Sequence, residues 1–99
     1  MPLTDKQRRH LRGLAHPLKP VVIVGQAGVS PPVLAEIGVA LDAHELVKVK
    51  VNAGDREERA AMIEHIVGET EADPVQRIGQ VLVLFRRNPE RPRIDLPAD

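Results

Sequence analysis

The chain has no cysteine, no tryptophan and no tyrosine, and Phe85 is its one aromatic residue. Without thiols there are no disulfides and no thiolate metal sites, which fits a reducing compartment. With one ring there is no platform for successive bases of a single-stranded nucleic acid, because stacking needs several aromatics on one surface. No apolar run approaches the ~20 residues of a membrane-spanning helix, and the charged N-terminus lacks the apolar centre of a signal peptide. These absences lead to the expectation of a cytoplasmic protein.

Net charge is missing too, since 14 basic residues balance 14 acidic ones. The balance is uneven along the chain: +3 over residues 1–54, −5 over 55–73 and +2 over 74–99. Such polarity can support a basic binding face opposite an acidic one. What is present is an ordinary globular composition, with 42% apolar and 28% charged residues in 99. That length suffices for one core and is too small for a cleft between two lobes, so residues 1–99 are expected to form a single domain.

The chain is organised around Gly25-Gln26-Ala27-Gly28. Leu18 to Val24 before it is short, apolar and β-branched and reads as a buried strand, while Ser30-Pro31-Pro32 after it opens a helix. Gly25 and Gly28 can take positive φ, and neither carries a side chain to keep a bulky ligand off the backbone. Amides here can meet an anion at the positive end of the helix dipole. Because Pro31 and Pro32 have no N–H, Ser30 as N-cap must bond the amide of Val33, which leaves Ala27, Gly28, Val29 and Ser30 as the main free donors. A plain strand-to-helix turn would need the same glycines. There is no Gly-x-Gly-x-x-Gly, and no lysine follows in the position of a nucleotide-binding P-loop.

Thr4-Asp5-Lys6-Gln7 has capping-box form and starts a helix expected to run to about Ala15. Leu11 and Leu14 fall on one side of it, and Arg8, Arg9 and Arg12 share an arc on the other. Residues 31–43 form a second helix with Val33, Leu34, Ile37 and Leu41 inward. Leu46 to Val51 alternates, so Val47, Val49 and Val51 face the core and Lys48 and Lys50 face out, with part of the sheet's other face open to solvent. Strand, helix and strand in this order make a parallel crossover. Asp55 and Glu58 cap a third helix reaching about Thr70, with Ala60, Ile63, Ile66, Val67 and Thr70 on one side and Glu57, Glu58, Glu64 and Glu69 on the other. Asp73-Pro74 breaks the chain into Val75–Ile78 and Val81–Arg86, joined through Gly79-Gln80 as a β-hairpin. The tail from Arg87 to Asp99 has three prolines, is locally basic through Arg86, Arg87, Arg91 and Arg93, and is expected to be extended or loosely ordered.

Nothing points to catalysis. His10, His16, His44 and His65 include no pair at the i, i+4 spacing of a helical zinc site, and Ser30, the one serine, already serves as a helix cap. Solvated glutamates on a helix face lack the burial or close approach that makes a carboxylate an acid or base. No enzyme, cofactor or metal is expected.

Gly13-Leu14-Ala15-His16-Pro17-Leu18-Lys19-Pro20, Val24-Gly25-Gln26-Ala27-Gly28-Val29 and Ala43-His44-Glu45-Leu46-Val47-Lys48-Val49-Lys50 resemble the CRM domain, named for chloroplast RNA splicing and ribosome maturation. The likeness is to its bacterial stand-alone form, the YhbY family, and with the closing hairpin it spans about residues 3–87. The resemblance implies an α/β fold of mixed α+β type, α-β-α-β-α-β-β with a four-stranded mixed sheet, similar to the C-terminal domain of bacterial translation initiation factor three. It also implies binding to RNA, in particular to precursors of the large ribosomal subunit. The family's Gly-x-x-Gly loop falls on Gly25 to Gly28, by analogy with KH domains whose loop clamps a nucleic-acid backbone. Many relatives carry Lys, Ser or Asn in the loop, whereas Gln26 and Ala27 add no charge.

The expected interface therefore comprises Gly25, Gln26, Ala27 and Gly28, with Arg8, Arg9, Arg12 and Lys19 neutralising phosphates and Lys48, Lys50, Arg86 and Arg87 as weaker contacts. The competing expectation is a protein-interaction module that docks a basic ribosomal protein on the acidic third helix. A third, a small phosphate-binding protein or enzyme using the glycine loop, lacks the lysine and base it would need.

Overall fold

A computed structural model describes residues 3–98. Its elements run α1 (Asp5–Ala15), β1 (Pro20–Val24), α2 (Pro31–His44), β2 (Leu46–Val51), α3 (Arg56–Thr70), β3 (Asp73–Ile78) and β4 (Val81–Phe85). The helix starts follow the caps read from the sequence. Thr4 and Gln7 form the reciprocal box, Ser30 Oγ accepts from the amide of Val33 at 3.4 Å, and Asp55 accepts from that of Glu58 at 2.9 Å. Each cap satisfies a donor that no helix can satisfy for itself.

The four strands form one mixed sheet in the order β1-β2-β4-β3, with β1 parallel to β2 and the other pairs antiparallel. Both edge strands contain a proline, Pro20 and Pro74, where the missing N–H interrupts no interior ladder. For this reason β3 begins at Asp73, two residues before its expected start, and Asp73-Pro74 belongs to the strand instead of breaking before it.

Helices α2 and α3 cover one face of the sheet. There Ile37, Leu41 and Ile66 pack on Val22, Val24, Val47, Val49, Val51, Leu82 and Leu84. The opposite face is covered at one end only, where Leu11 and Ala15 of α1 meet Leu46, Val75, Val83 and Phe85. This half-covering explains β2: Leu46 is buried, whereas Lys48 and Lys50 on the same face are only half-buried. Leu14 is not part of that contact and remains 42% exposed.

The C-terminal tail is extended, but it is not loose. Ile94 and Leu96 pack against the α1 cluster, and Gln7 Nε2 donates to the Pro97 carbonyl at 3.1 Å. Glu45 holds it. This residue ends α2 at φ 62°, is fully buried, and its carboxylate accepts from the amides of Asn88, Arg93 and Ile94 at 2.6, 2.6 and 2.9 Å. Asp99, the last residue of the expected tail, lies outside the described residues.

Candidate nucleic-acid interface

The glycine stretch is a tight turn in which the Gly28 amide donates to the Gly25 carbonyl at 3.0 Å. One of the four donors expected to be free is thus consumed inside the turn. The amides of Gln26, Ala27, Val29 and Ser30 have no protein acceptor among the described residues. They gather just ahead of α2, where the helix dipole favours an anion. The two glycines differ. Gly28 sits at φ +79°, whereas Gly25 has ordinary backbone and a Cβ added there meets nothing within 4 Å. Gly28→Ala is expected to destabilise the chain by about 1–2 kcal/mol, the cost of a left-handed L-residue, and Gly25→Ala to leave stability unchanged. Urea midpoints for the two variants check this; equal losses would show that the turn needs both glycines.

The turn stands at one end of the open part of the sheet. Strand register sets Ile23 beside Lys50 and Lys50 beside Val81, which in turn faces Ile78. Ile23 and Ile78 are 62% and 60% exposed, so aliphatic surface flanks the two lysines. At the other end of β1, Lys19 and Lys48 rim a groove of about 470 Å³ whose walls include Leu14, Leu18, Val21 and Ile94. Lys19 and Gly25 are six residues apart along an extended segment, roughly 20 Å.

The expected cations divide into two groups. Arg9 is exposed, Arg12 and Lys50 are half-buried, and none of them has a side-chain hydrogen-bond or ion-pair partner among the described residues; Lys19 is likewise exposed. Arg8 and Lys48 are partly engaged. Arg8 reaches the carbonyls of Pro74 and Leu3, each at 3.4 Å, and Lys48 Nζ donates to the His16 carbonyl at 3.2 Å.

Arg86 and Arg87 hold the protein together. Arg86 donates to the carbonyls of Thr70 and Gly38 at 2.9 and 3.0 Å and pairs with Asp42 at 2.8 Å, joining α2, α3 and the end of β4. Arg87 donates to the Ile94 carbonyl at 2.8 Å, approaches the Glu45 carboxylate at 3.4 Å and lies 5.6 Å from the Phe85 ring centre. Arg86, with three of its five donors so engaged, has few left for phosphate, whereas Arg87 bonds through Nη1 alone. The sequence does not mark Glu45 as the anchor of the tail. Its one signal is an acidic residue at a helix-to-strand junction beside apolar neighbours, which many solvated junctions share.

Helices on one face, a single helix over half of the other, and a glycine turn with cations on the uncovered half define a small α+β module with one sheet face partly open. The chain belongs to the CRS1/YhbY (CRM) domain family, whose model matches residues 3–86. It is 52% identical over 95 residues to an RNA-binding protein of Haemophilus influenzae, covering 96% of this chain and 95% of that one. It is 39% identical over 95 residues to the probable RNA-binding protein YqeI of Bacillus subtilis, covering 96% and 99% of the two chains. Its fold matches the solution structure of a Staphylococcus aureus protein proposed to bind RNA, with a TM-score of 0.79, 32% identity, and coverage of 96% of this chain and 99% of the other.

Proposed function

We propose that this protein binds RNA without catalysing a reaction on it, and that its RNA is ribosomal RNA in precursors of the large ribosomal subunit, whose assembly it assists. RNA binding is supported by the family and by the RNA-binding descriptions of its relatives. The ribosomal target rests on the family resemblance. The observation that carries the site is the set of four unpartnered amides at the glycine turn, beside an open, lysine-bearing sheet face. Backbone N–H groups and Gln26 contact phosphate or sugar. Arg9, Arg12, Lys19 and Lys50 supply most of the neutralising charge, with Arg8 and Lys48 contributing what their internal bonds leave free. Such contacts position a protein on RNA without reading sequence, so selectivity comes from RNA shape and affinity falls as salt rises.

Anisotropy binding to a structured fragment of large-subunit ribosomal RNA at two salt concentrations tests this. The double variant Gln26→Asp, Ala27→Asp places two carboxylates at exposed positions of ordinary φ and leaves both glycines in place. It is expected to remain folded and to lose at least about tenfold in affinity through like-charge repulsion. Unchanged affinity would reduce the glycine stretch to a structural turn. If the wild type itself fails to bind, attention moves to a protein partner on α3, where Glu57, Glu58, Glu64 and Glu69 are all exposed.

A further inference from the structure

At the same end of the sheet as the glycine turn, on the face covered by α3, three arginines that the sequence does not group line one pocket. Arg56 and Arg59 come from the first turn of α3 and Arg77 from β3, and with Gly79 they enclose about 380 Å³. Strand register explains the meeting. Arg77 pairs with Leu82, a residue of the α2–α3 core, so its side chain lies on the α3 side of the sheet while Ile78 faces the other way.

Like charges gathered in this way repel one another unless an anion joins them. Arg56 and Arg77 are exposed and have no ion-pair partner among the described residues. Arg59 is aimed by its own turn, donating through Nη1 to the Gly54 carbonyl at 3.1 Å, and Asp55 offsets part of its charge. Its Nε is buried with no hydrogen-bond partner among the described residues. A buried donor without an acceptor is an incomplete site. The α3 N-terminus itself is not the attraction, because Asp55 already occupies the amide of Glu58.

We infer that Arg56, Arg59 and Arg77 form a second phosphate site for the same RNA, with a phosphodiester oxygen completing the Arg59 Nε bond. The assignment rests on the RNA-binding reading above. The loops involved are tied together at the sheet end, since the Asn52 amide donates to the Val24 carbonyl at 2.8 Å and the Val51 amide to the Gln80 carbonyl at 2.7 Å. The glycine turn follows β1 and the arginines stand by β3, three strand spacings away, roughly 14 Å. A strand of RNA covers that distance in a handful of nucleotides. The protein then holds RNA at two points along one edge, which fixes a direction as well as a location.

The test is Arg56→Ala combined with Arg77→Ala, two exposed side chains whose loss leaves the core intact. RNA affinity is expected to fall about tenfold, and the slope of log affinity against log salt to shrink by about 1 to 2, with the circular dichroism spectrum unchanged. Wild-type affinity and slope in this variant overturn the second site and leave the first standing. A wild-type chain that binds no RNA overturns both. Titration with inorganic phosphate, followed at the Arg59 side-chain N–H by NMR, separates the sources: saturation by phosphate together with wild-type RNA binding in the variant makes this a small-anion site. Loss of an acidic peptide's binding, with RNA binding kept, gives the pocket to a protein partner instead.

Discussion

Replacing Glu45 with alanine is expected to lower stability by about 3–5 kcal/mol, because several backbone donors lose a charged, fully buried acceptor at about 1–3 kcal/mol each. The carboxylate is the acceptor for three tail amides and the nearest anion to Arg87, so alanine leaves several donors to be satisfied at once. Either they stay buried and unpaired or the tail leaves, exposing Ile94 and Leu96. Hydrogen exchange distinguishes this from a general softening, because the amides of Asn88, Arg93 and Ile94 should lose protection first. Glu45→Gln is the finer probe: with its oxygen kept toward Arg93 and Ile94, its new NH2 meets the Asn88 amide donor to donor. Wild-type protection in both variants would show that the tail is held by apolar contact alone.

The same residue makes tail docking pH-dependent. Burial pushes the Glu45 carboxyl up, but the amides of Asn88, Arg93 and Ile94 and the Arg87 charge outweigh it, and the group ends below its ordinary value. A carboxyl depressed in the folded state releases its proton more readily there than in the unfolded chain. Its contribution is complete above the unfolded pKa of about 4.3 and is lost as pH falls through the lower folded value. Tail protection should therefore be constant from neutrality down to about pH 4 and fall below it, and Glu45→Gln should remove that fall.

Phe85→Ala is expected to cost a further 3–5 kcal/mol in its own right, about the range for emptying a buried aromatic site. The ring is 2% exposed, sits across from Leu46 and shares its cluster with Leu11 and Ile94. It is part of the surface on which α1 rests, so under the proposed function its loss is expected to weaken RNA binding by loosening the helix that carries Arg9 and Arg12. Urea unfolding gives the stability, and RNA affinity of the milder Phe85→Leu gives the coupling. A change below about 1 kcal/mol for alanine would mean that α1 is held elsewhere. Because Glu45 and Phe85 fix the same tail, their double variant should lose less than the sum of the two.

Much of the fold was legible in the sequence because its signals are local. Thr4, Ser30 and Asp55 cap helices through bonds to residues three positions on, and alternation in Leu46 to Val51 follows from the two-residue period of a strand. The glycine turn falls between strand and helix as expected, but its free donors include Gln26 where the sequence suggests Gly28, since the bond between Gly28 and Gly25 depends on the turn's closure. Pro74 reads as a break because sequence does not show that its strand is an edge. The tail misled for a related reason. Its prolines and charges describe a chain without internal partners, and Glu45, which supplies the partner, is more than 40 residues away.

The proposed binding surface divides along the same line. By itself, the sequence determined the order of elements, the glycine turn, the basic stripe of α1 and the two outward lysines, since each depends on residues within a few positions of one another. Only the tertiary structure decided which cations face solvent. It placed Arg86 and Arg87 against carbonyls and carboxylates of distant elements, and it carried Arg77 across the sheet to Arg56 and Arg59, which lie in the segment of net charge −5. Segment charge sums over neighbours in the chain, whereas a phosphate responds to neighbours in space.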